Sequence, residues 1–307
     1  MKATVLSGGV GGARFLRGVT AVVEPGDVAV IGNIGDDIDV LGLHVSPDLD
    51  SILYALAGIS DEERGWGRAD ESWNALATVA DLGGESWFRL GDRDIGLHLV
   101  RTELLRAGMR LSEITGRLAA ALGIGCALLP ATDDPLRTFV ETEAGTFAFQ
   151  EWFVARGHRD EVDAVHYTGA HDARPAPGVL DAIEAADVIV IAPSNPYVSI
   201  GPIVAVDAIR AALEGRRSPC IAVSPLIGGR AVKGPADRML ARLAGGTGPA
   251  AVAGCYAGLI DALVIDEADA PAEVPGIRTV VAKTLMVDED ARRRLAHAVL
   301  DAAAAVA

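Results

Sequence analysis

The feature that most constrains this chain is a recurring succession of short, unbroken apolar runs and stretches with helical spacing. ATVLS passes through SGGVGGAR into the apolar-periodic RFLRGVTAVV, and VAVIG follows. Later PGVLDAIEAA precedes DVIVIAP, VDAIRAALEG precedes SPCIAVSP, and LIDALVIDE comes near residue 260. Apolar runs without alternation are strands buried on both faces, and strands of that kind separated by helices build a mostly parallel sheet covered on each side. The expected fold class is therefore α/β.

Residues 61–160 read differently, with tryptophans, two helix-like segments (DIGLHLVRTELLRAG and LSEITGRLAAALG) and RTFVETEAGTFAFQEWFV, which alternates around EAG like a hairpin. No Pro/Ser-rich linker marks the edges of this region. We read one domain over 1–307, with a nucleotide-binding-type core in 1–60 and 161–307 and an inserted helical and hairpin lobe in 61–160. At 307 residues, half of them hydrophobic, the chain can bury a large core. A net charge of −15 argues against a nucleic-acid partner, whose phosphates demand cationic contacts. No run reaches the roughly 20 apolar residues of a membrane span, and MKATVLSGG lacks the features of a signal peptide, so the cytoplasm is expected. Cys126, Cys220 and Cys255 sit in apolar contexts and read as buried thiols.

SGGVGGAR follows a strand and opens a helix, so Gly8, Gly9, Gly11 and Gly12 let backbone amides approach a phosphate at a positive helix end. It is neither a G-x-G-x-x-G fingerprint, because Arg14 stands where the third glycine belongs, nor a Walker A loop. Arg14 and Arg17, one turn apart, add positive charge or are merely solvated. Just past VAVIG, residues 32–58 hold five aspartates (Asp36, Asp37, Asp39, Asp48 and Asp50) and His44 as their only basic residue. Asn33 through Asp37 follow the carboxyl end of a strand, where open α/β sheets bind ligands. Asp48 or Asp50 is also suited to cap the helix SILYALAG. Carboxylates beside a phosphate site repel the ligand unless they hold a divalent cation or accept hydrogen bonds from hydroxyls, which points to magnesium and a polyhydroxylated substrate.

WFRLGDRDIGLHLVRTELL puts Arg89, Asp92, Arg93 and Asp94 on a turn before a helix, where Arg89 is suited to orient a substrate and Asp92 or Asp94 to cap the helix. His98 reads as a satisfied core or helix-surface histidine. SNPYVSIGP offers Ser194, Asn195 and Ser199 after another strand, and SPLIGGRAVKGPA offers Gly228, Gly229 and the counter-charge of Lys233. Without a GxSxG elbow or a Cys/His arrangement, no covalent nucleophile is visible, so direct in-line transfer at phosphorus is expected.

In order, SGGVGGARFLRG, NIGDD, SPDLDSILYALAG, WFRLGDRD, ATDDPLRTFVET, PSNPYVSIGPI and SPLIGGRAVKGPA resemble the 2-phospho-L-lactate transferase family of coenzyme F-420 biosynthesis, over nearly the whole chain. The resemblance implies a Rossmann-like three-layer sandwich, a homodimer, and magnesium-assisted transfer of a phosphoenolpyruvyl or 2-phospholactyl group from a guanosine diphosphate donor to the deazaflavin FO, with release of GMP. By motif position, Asp50 and Arg89 look like the acceptor-binding residues. Gly9, Gly11, Gly12, Asn33, Ser194, Asn195, Ser199, Gly229 and Lys233 fall on the nucleotide and phosphate side. Asp36 and Asp37 are the choices for metal, with Asp37 and Asp50 for catalysis. GGVGGARFL and the arginine-rich composition look like the actinobacterial branch, which favours the phosphoenolpyruvyl donor. The alternative is a non-catalytic nucleotide-sugar-binding regulatory protein similar to the gluconeogenesis factors, which needs neither SPDLD nor WFRLGDRD. An NAD-dependent oxidoreductase is disfavoured by the broken fingerprint.

Overall fold

A computed structural model describes residues 1–272 and 274–306. Seven strands form its main sheet: β1 (Ala3–Ser7), β2 (Val28–Gly32), β3 (Ala127–Pro130), β4 (Val188–Ile191), β5 (Cys220–Val223), β6 (Ala262–Asp266) and β7 (Arg278–Ala282). Their spatial order is β7-β6-β5-β4-β1-β2-β3, and every neighbouring pair is parallel. The unbroken apolar runs VIVI, CIAV and ALVID are buried at every residue, as strands covered on both faces must be.

The two covering layers follow from β1. Thr4 Oγ1 donates to the carbonyl of Ala182 in the helix Val179–Ala185 (2.7 Å), whereas Ser7 lies beneath Gly12 of helix α1 (Gly9–Val22). Residues three apart on a strand point to opposite faces, so these helices flank the sheet and the architecture is a Rossmann-like three-layer sandwich. On the α1 face, helices α2 (Pro47–Leu56) and α4 (Glu289–Ala304) pack against α1. α1 buries Phe15, Leu16 and Val19, and a side chain on its Gly18 would strike the backbone of Arg292 in α4.

The helices expected in the lobe are present as α3 (Asp92–Arg106) and Leu111–Ala121. The hairpin around EAG forms from Arg137–Thr142 and Gly145–Ala148. The expected lobe boundaries need correction at two places. Ala127–Pro130, inside 61–160, is the edge strand of the main sheet, and Ala164–Thr168, outside that range, pairs with the hairpin to make a three-stranded antiparallel sheet. The first is short and ends in a proline that only an edge tolerates, so it carries little strand signal. A buried cluster of Val140, Phe149, Trp152, Val162, Val198 and Met239 fastens the lobe to the segment after β4. Cys126 and Cys220 are buried free thiols whose pKa values burial pushes up to about 11 and about 12, while Cys255 is half-buried. Among the described residues, no single helix is long and apolar enough to cross a membrane.

Candidate active site

The chain runs outward from β1 to β2 and β3, then returns to place β4 on the other side of β1. This reversal opens a crevice at the carboxyl ends of β1 and β4. Both glycine-loop and serine motifs reach it. Ser194 Oγ donates to the carbonyl of Gly8 (2.7 Å) and accepts from its amide (3.4 Å). A Cβ on Gly8 would collide with the Asp48 carboxylate and lie 2.8 Å from Ser199 Cβ and 3.1 Å from Asn33 Cβ, so those three side chains close around Gly8. Gly9 has φ +66°, a backbone state that favours glycine, and Gly8 gives α1 no side-chain cap.

Asn33, fully buried past β2, organises the carboxylates. Its Nδ2 lies 2.9 Å from Asp48 Oδ2, 3.1 Å from the carbonyl of Val198 and 3.4 Å from Asp36 Oδ1, while its Oδ1 accepts from the Gly35 amide (2.7 Å). Gln150 donates to Asp36 Oδ2 (2.9 Å), which brings the hairpin lobe into the site. Burial, then Asp48 and Asp37, drive the Asp36 pKa well above the usual carboxylate range. Burial pushes Asp48 up to about 6, against the opposing hydrogen bonds of Asn33 and the Gly9 amide. Asp37 Oδ2 accepts from Ser46 Oγ (2.9 Å) and lies 3.0 Å from His44 Nε2, whereas its buried Oδ1 has no hydrogen-bond partner. His44 belongs to the hairpin Ile38–Val40/Leu43–Val45, which also carries the exposed Asp39.

Ser46 is the N-cap residue of α2, with Pro47 next, so Asp48 and Asp50 fall inside the first turn instead of at the cap. Asp50 is buried against Arg101, which donates to both of its oxygens. His98 Nδ1 lies 3.7 Å from Asp50 Oδ2 and 3.3 Å from Arg101 Nη1, and burial holds the His98 pKa down to about 4. Lower on α2, Tyr54 donates to Asp94. Arg101 is the main residue left without a role by the sequence, yet a signal exists. Asp94, His98, Arg101 and Thr102 recur at helical spacing and are the buried face of α3, a polar stripe where a core helix normally shows an apolar one.

The remaining expected residues are dispersed. Arg89 is exposed, and its guanidinium stacks 4.7 Å from the Trp73 ring centroid beside Arg64, which lies 4.8 Å from that of Trp66. Asp92 does not cap its own helix: it accepts from Ser72, Asn74 and Ala75 at the start of Asn74–Asp81, while Glu71 accepts from the Arg93 and Asp94 amides and caps α3 in exchange. Asn195 Oδ1 accepts from the Tyr197 amide (2.9 Å), and its Nδ2 lies 3.3 Å from Met239 Sδ. The Gly228 and Gly229 amides are taken by the Asp269 carboxylate (3.0 and 2.9 Å). Lys233 Nζ donates to the carbonyls of Arg64 and Gly65. A tight group of Gly8, Gly9, Asn33, Asp36, Asp37, Asp48, Ser194 and Ser199 therefore forms the centre, and the polar α2–α3 interface carries Asp50.

Among the described residues, no three His, Cys, Asp or Glu side chains converge to hold a metal by themselves. Magnesium does not require that, since it is commonly bound by one or two carboxylates together with water and substrate phosphates. The unpartnered Asp37 Oδ1 and the mutual repulsion at Asp36 are hard-oxygen features that a divalent cation satisfies.

The family model for 2-phospho-L-lactate transferase CofD matches residues 3–304. The phosphoenolpyruvate transferase of Streptomyces griseus is 45% identical over 313 residues, covering 99% of this chain and 98% of that protein. That of Kitasatospora aureofaciens is 46% identical over 311 residues (98% and 97%), and that of Mycolicibacterium smegmatis 40% over 324 residues (99% and 99%). Among solved structures, protein BH3568 of Bacillus halodurans, a member of the UPF0052 family, aligns with a TM-score of 0.64 at 18% identity over 97% of this chain. That likeness concerns the fold alone.

Proposed function

Because the chain belongs to the 2-phospho-L-lactate transferase family, we propose that it moves a phosphoenolpyruvyl group from a guanosine diphosphate donor to the ribityl hydroxyl of the deazaflavin FO, releasing GMP. At the coarser level it is a phosphoenolpyruvyl or phospholactyl transferase of coenzyme F-420 biosynthesis. The observation that carries the finer reading is one crevice in which the N-terminus of α1, whose N-cap Gly8 has no side chain and whose Gly9 amide meets the Asp48 carboxylate, faces further buried carboxylates across Asn33. The first element suits a diphosphate and the second a hydroxyl-bearing acceptor. Identity to phosphoenolpyruvate transferases over nearly the full length favours the enolpyruvyl donor over the phospholactyl one.

In this reading the backbone of Gly8, Gly9, Gly11 and Gly12, with Ser194 and Ser199, holds the diphosphate, and Asn195 shapes the turn that presents Ser199. The acceptor hydroxyl forms a bond to the distal phosphorus while the bridging bond to GMP breaks. The hydroxyl proton leaves to water, because the Asp37 oxygen free of protein partners is the one that would hold the cation. Asp50 orients the ribityl chain: both its oxygens are engaged by Arg101, which makes it a fixed acceptor of hydrogen bonds and a poor acceptor of protons. Arg89, on its tryptophan shelf, contacts the acceptor from the lobe side. Asp36 and Asp37 would hold magnesium, which would neutralise the charge developing on the departing GMP. As part of the same reading we take the working form to be a cytoplasmic homodimer.

Mass spectrometry on folded protein incubated with FO, magnesium and either guanosine diphosphate donor tests the proposal. Enolpyruvyl-bearing product with released GMP is expected, and no product from either donor overturns it. For Asp50 the appropriate variant is Asp50→Glu, because alanine or asparagine would leave Arg101 as a buried charge without its counter-ion and destabilise the fold by about 3–5 kcal/mol. Asp50→Glu keeps the ion pair while moving the carboxylate by one methylene, and is expected to lose transfer by at least roughly 100-fold, on the scale of a misplaced substrate. Activity at the parent rate would remove Asp50 from the site.

A further inference from the structure

In a chain with net charge −15, two cations meet beside α1 with no carboxylate in ion-pair distance among the described residues, although Glu62 feels the charge of Arg14 from farther off. Lys233 Nζ donates to the carbonyls of Gly65 (2.8 Å) and Arg64 (3.1 Å), and Arg14 Nη2 lies 3.4 Å from the carbonyl of Glu62. Both bracket Gly65: a Cβ there would stand 2.6 Å from Lys233 Nζ and 3.7 Å from Arg14 Nη2. Among the described residues neither has a carboxylate within ion-pair distance. The acids of the same loop are engaged elsewhere, Asp61 with Arg64, and Glu62 with Arg17 and Arg292. Burial, and then the charge of Arg14, hold the Lys233 pKa below the usual ammonium range. Two like charges kept together in this way are an arrangement that an anion stabilises.

Position decides which anion. Arg14 lies five residues into α1 from Gly9, about 7.5 Å along the axis, and helical side chains lean back toward the N-terminus. A diphosphate seated on the glycine loop is served by amides there. The next negative group of the donor, beyond the distal phosphorus, is the carboxylate of its three-carbon acid. We propose that Arg14 and Lys233 form the receptor for that carboxylate and thereby restrict the enzyme to acidic transferred groups. The inference rests on the transferase reading above. A guanidinium fork and an ammonium together satisfy both oxygens of a carboxylate; Val10, Ala13 and Trp66 line the groove beside Arg14 and give the carbon skeleton an apolar wall, while Asp61 and Glu62 of that groove are held by Arg64, Arg17 and Arg292, and Lys233 reaches its rim at Gly65.

The test compares two ligands on the full-length protein by calorimetric titration with magnesium. One is the phosphoenolpyruvyl guanosine diphosphate donor, and the other is the methyl ester of GDP on its distal phosphate, which has the same diphosphate and no carboxylate. Arg14→Gln and Lys233→Gln are each expected to weaken donor binding by at least roughly tenfold while changing ester binding by less than about twofold. Lys233→Arg is expected to retain donor binding. Equal weakening of both ligands assigns the pair to the diphosphate or to loop support and overturns the inference, as does no weakening of either. Parent protein that binds neither ligand overturns the transferase reading itself, and the inference falls with it.

Discussion

Asp94 shows how a single side chain can be held against its own ionisation. Burial is the main reason its pKa rises to about 6, with Asp50 and Glu71 adding repulsion and the Tyr54 hydrogen bond opposing them. The native state thus holds its proton more tightly than the unfolded chain does. Its contribution to stability is complete below the ordinary carboxylate value, declines as pH rises toward about 6, and above that becomes a penalty on the order of 3 kcal/mol. Asp94→Asn is therefore expected to stabilise the protein at pH 7 and to make little difference near pH 4, which urea unfolding at the two pH values measures. Individual residues were unevenly legible in the sequence. Gly8, Asn33 and Ser194 announce themselves by following buried strands, and they do meet. Asp48 hid behind an equally good reading as a helix cap, and Gln150 reaches Asp36 from 114 residues away, a distance no local pattern spans.

Among the elements, α1 and α4 pack closely, since Gly18 leaves no room for a side chain against the Arg292 backbone. Gly18→Ala is expected to push the helices apart, loosen the Arg292–Glu62 pair that ties α4 to the loop after α2, and cost about 1–3 kcal/mol in thermal or chemical unfolding. At the start of α3, Glu71→Ala removes the acceptor for two helix amides and is expected to cost about 1 kcal/mol, measured in the same way. Long periodic helices and fully buried strands were readable because every residue in them reports the same environment. The hairpin Ile38–Val45 was not, because its strands have three residues each and one of them carries the exposed Asp39. β7 escaped for a related reason: as an edge strand it keeps Val281 half exposed and shows no unbroken apolar signature.

For the molecule as a whole, the proposed metal site at the crevice carboxylates predicts a ligand-dependent stability. With magnesium at 100 times its dissociation constant, the native state is expected to gain about 2.7 kcal/mol, seen as a rise in Tm. Asp37→Asn is expected to lose most of that rise, and a rise of the parent's size in the variant would remove Asp37 from the metal site. The strand order adds a matter of timing. Gly8 and Ser194 hydrogen-bond across the crevice although 186 residues separate them, because the chain completes β2 and β3 before β4 returns to β1. At about 5–20 residues per second, the ribosome delivers the second half of this site roughly 10–40 s after the first. Throughout that interval the growing polypeptide has its glycine loop but nothing to close it, so on the proposed reading no half-made chain can hold the donor.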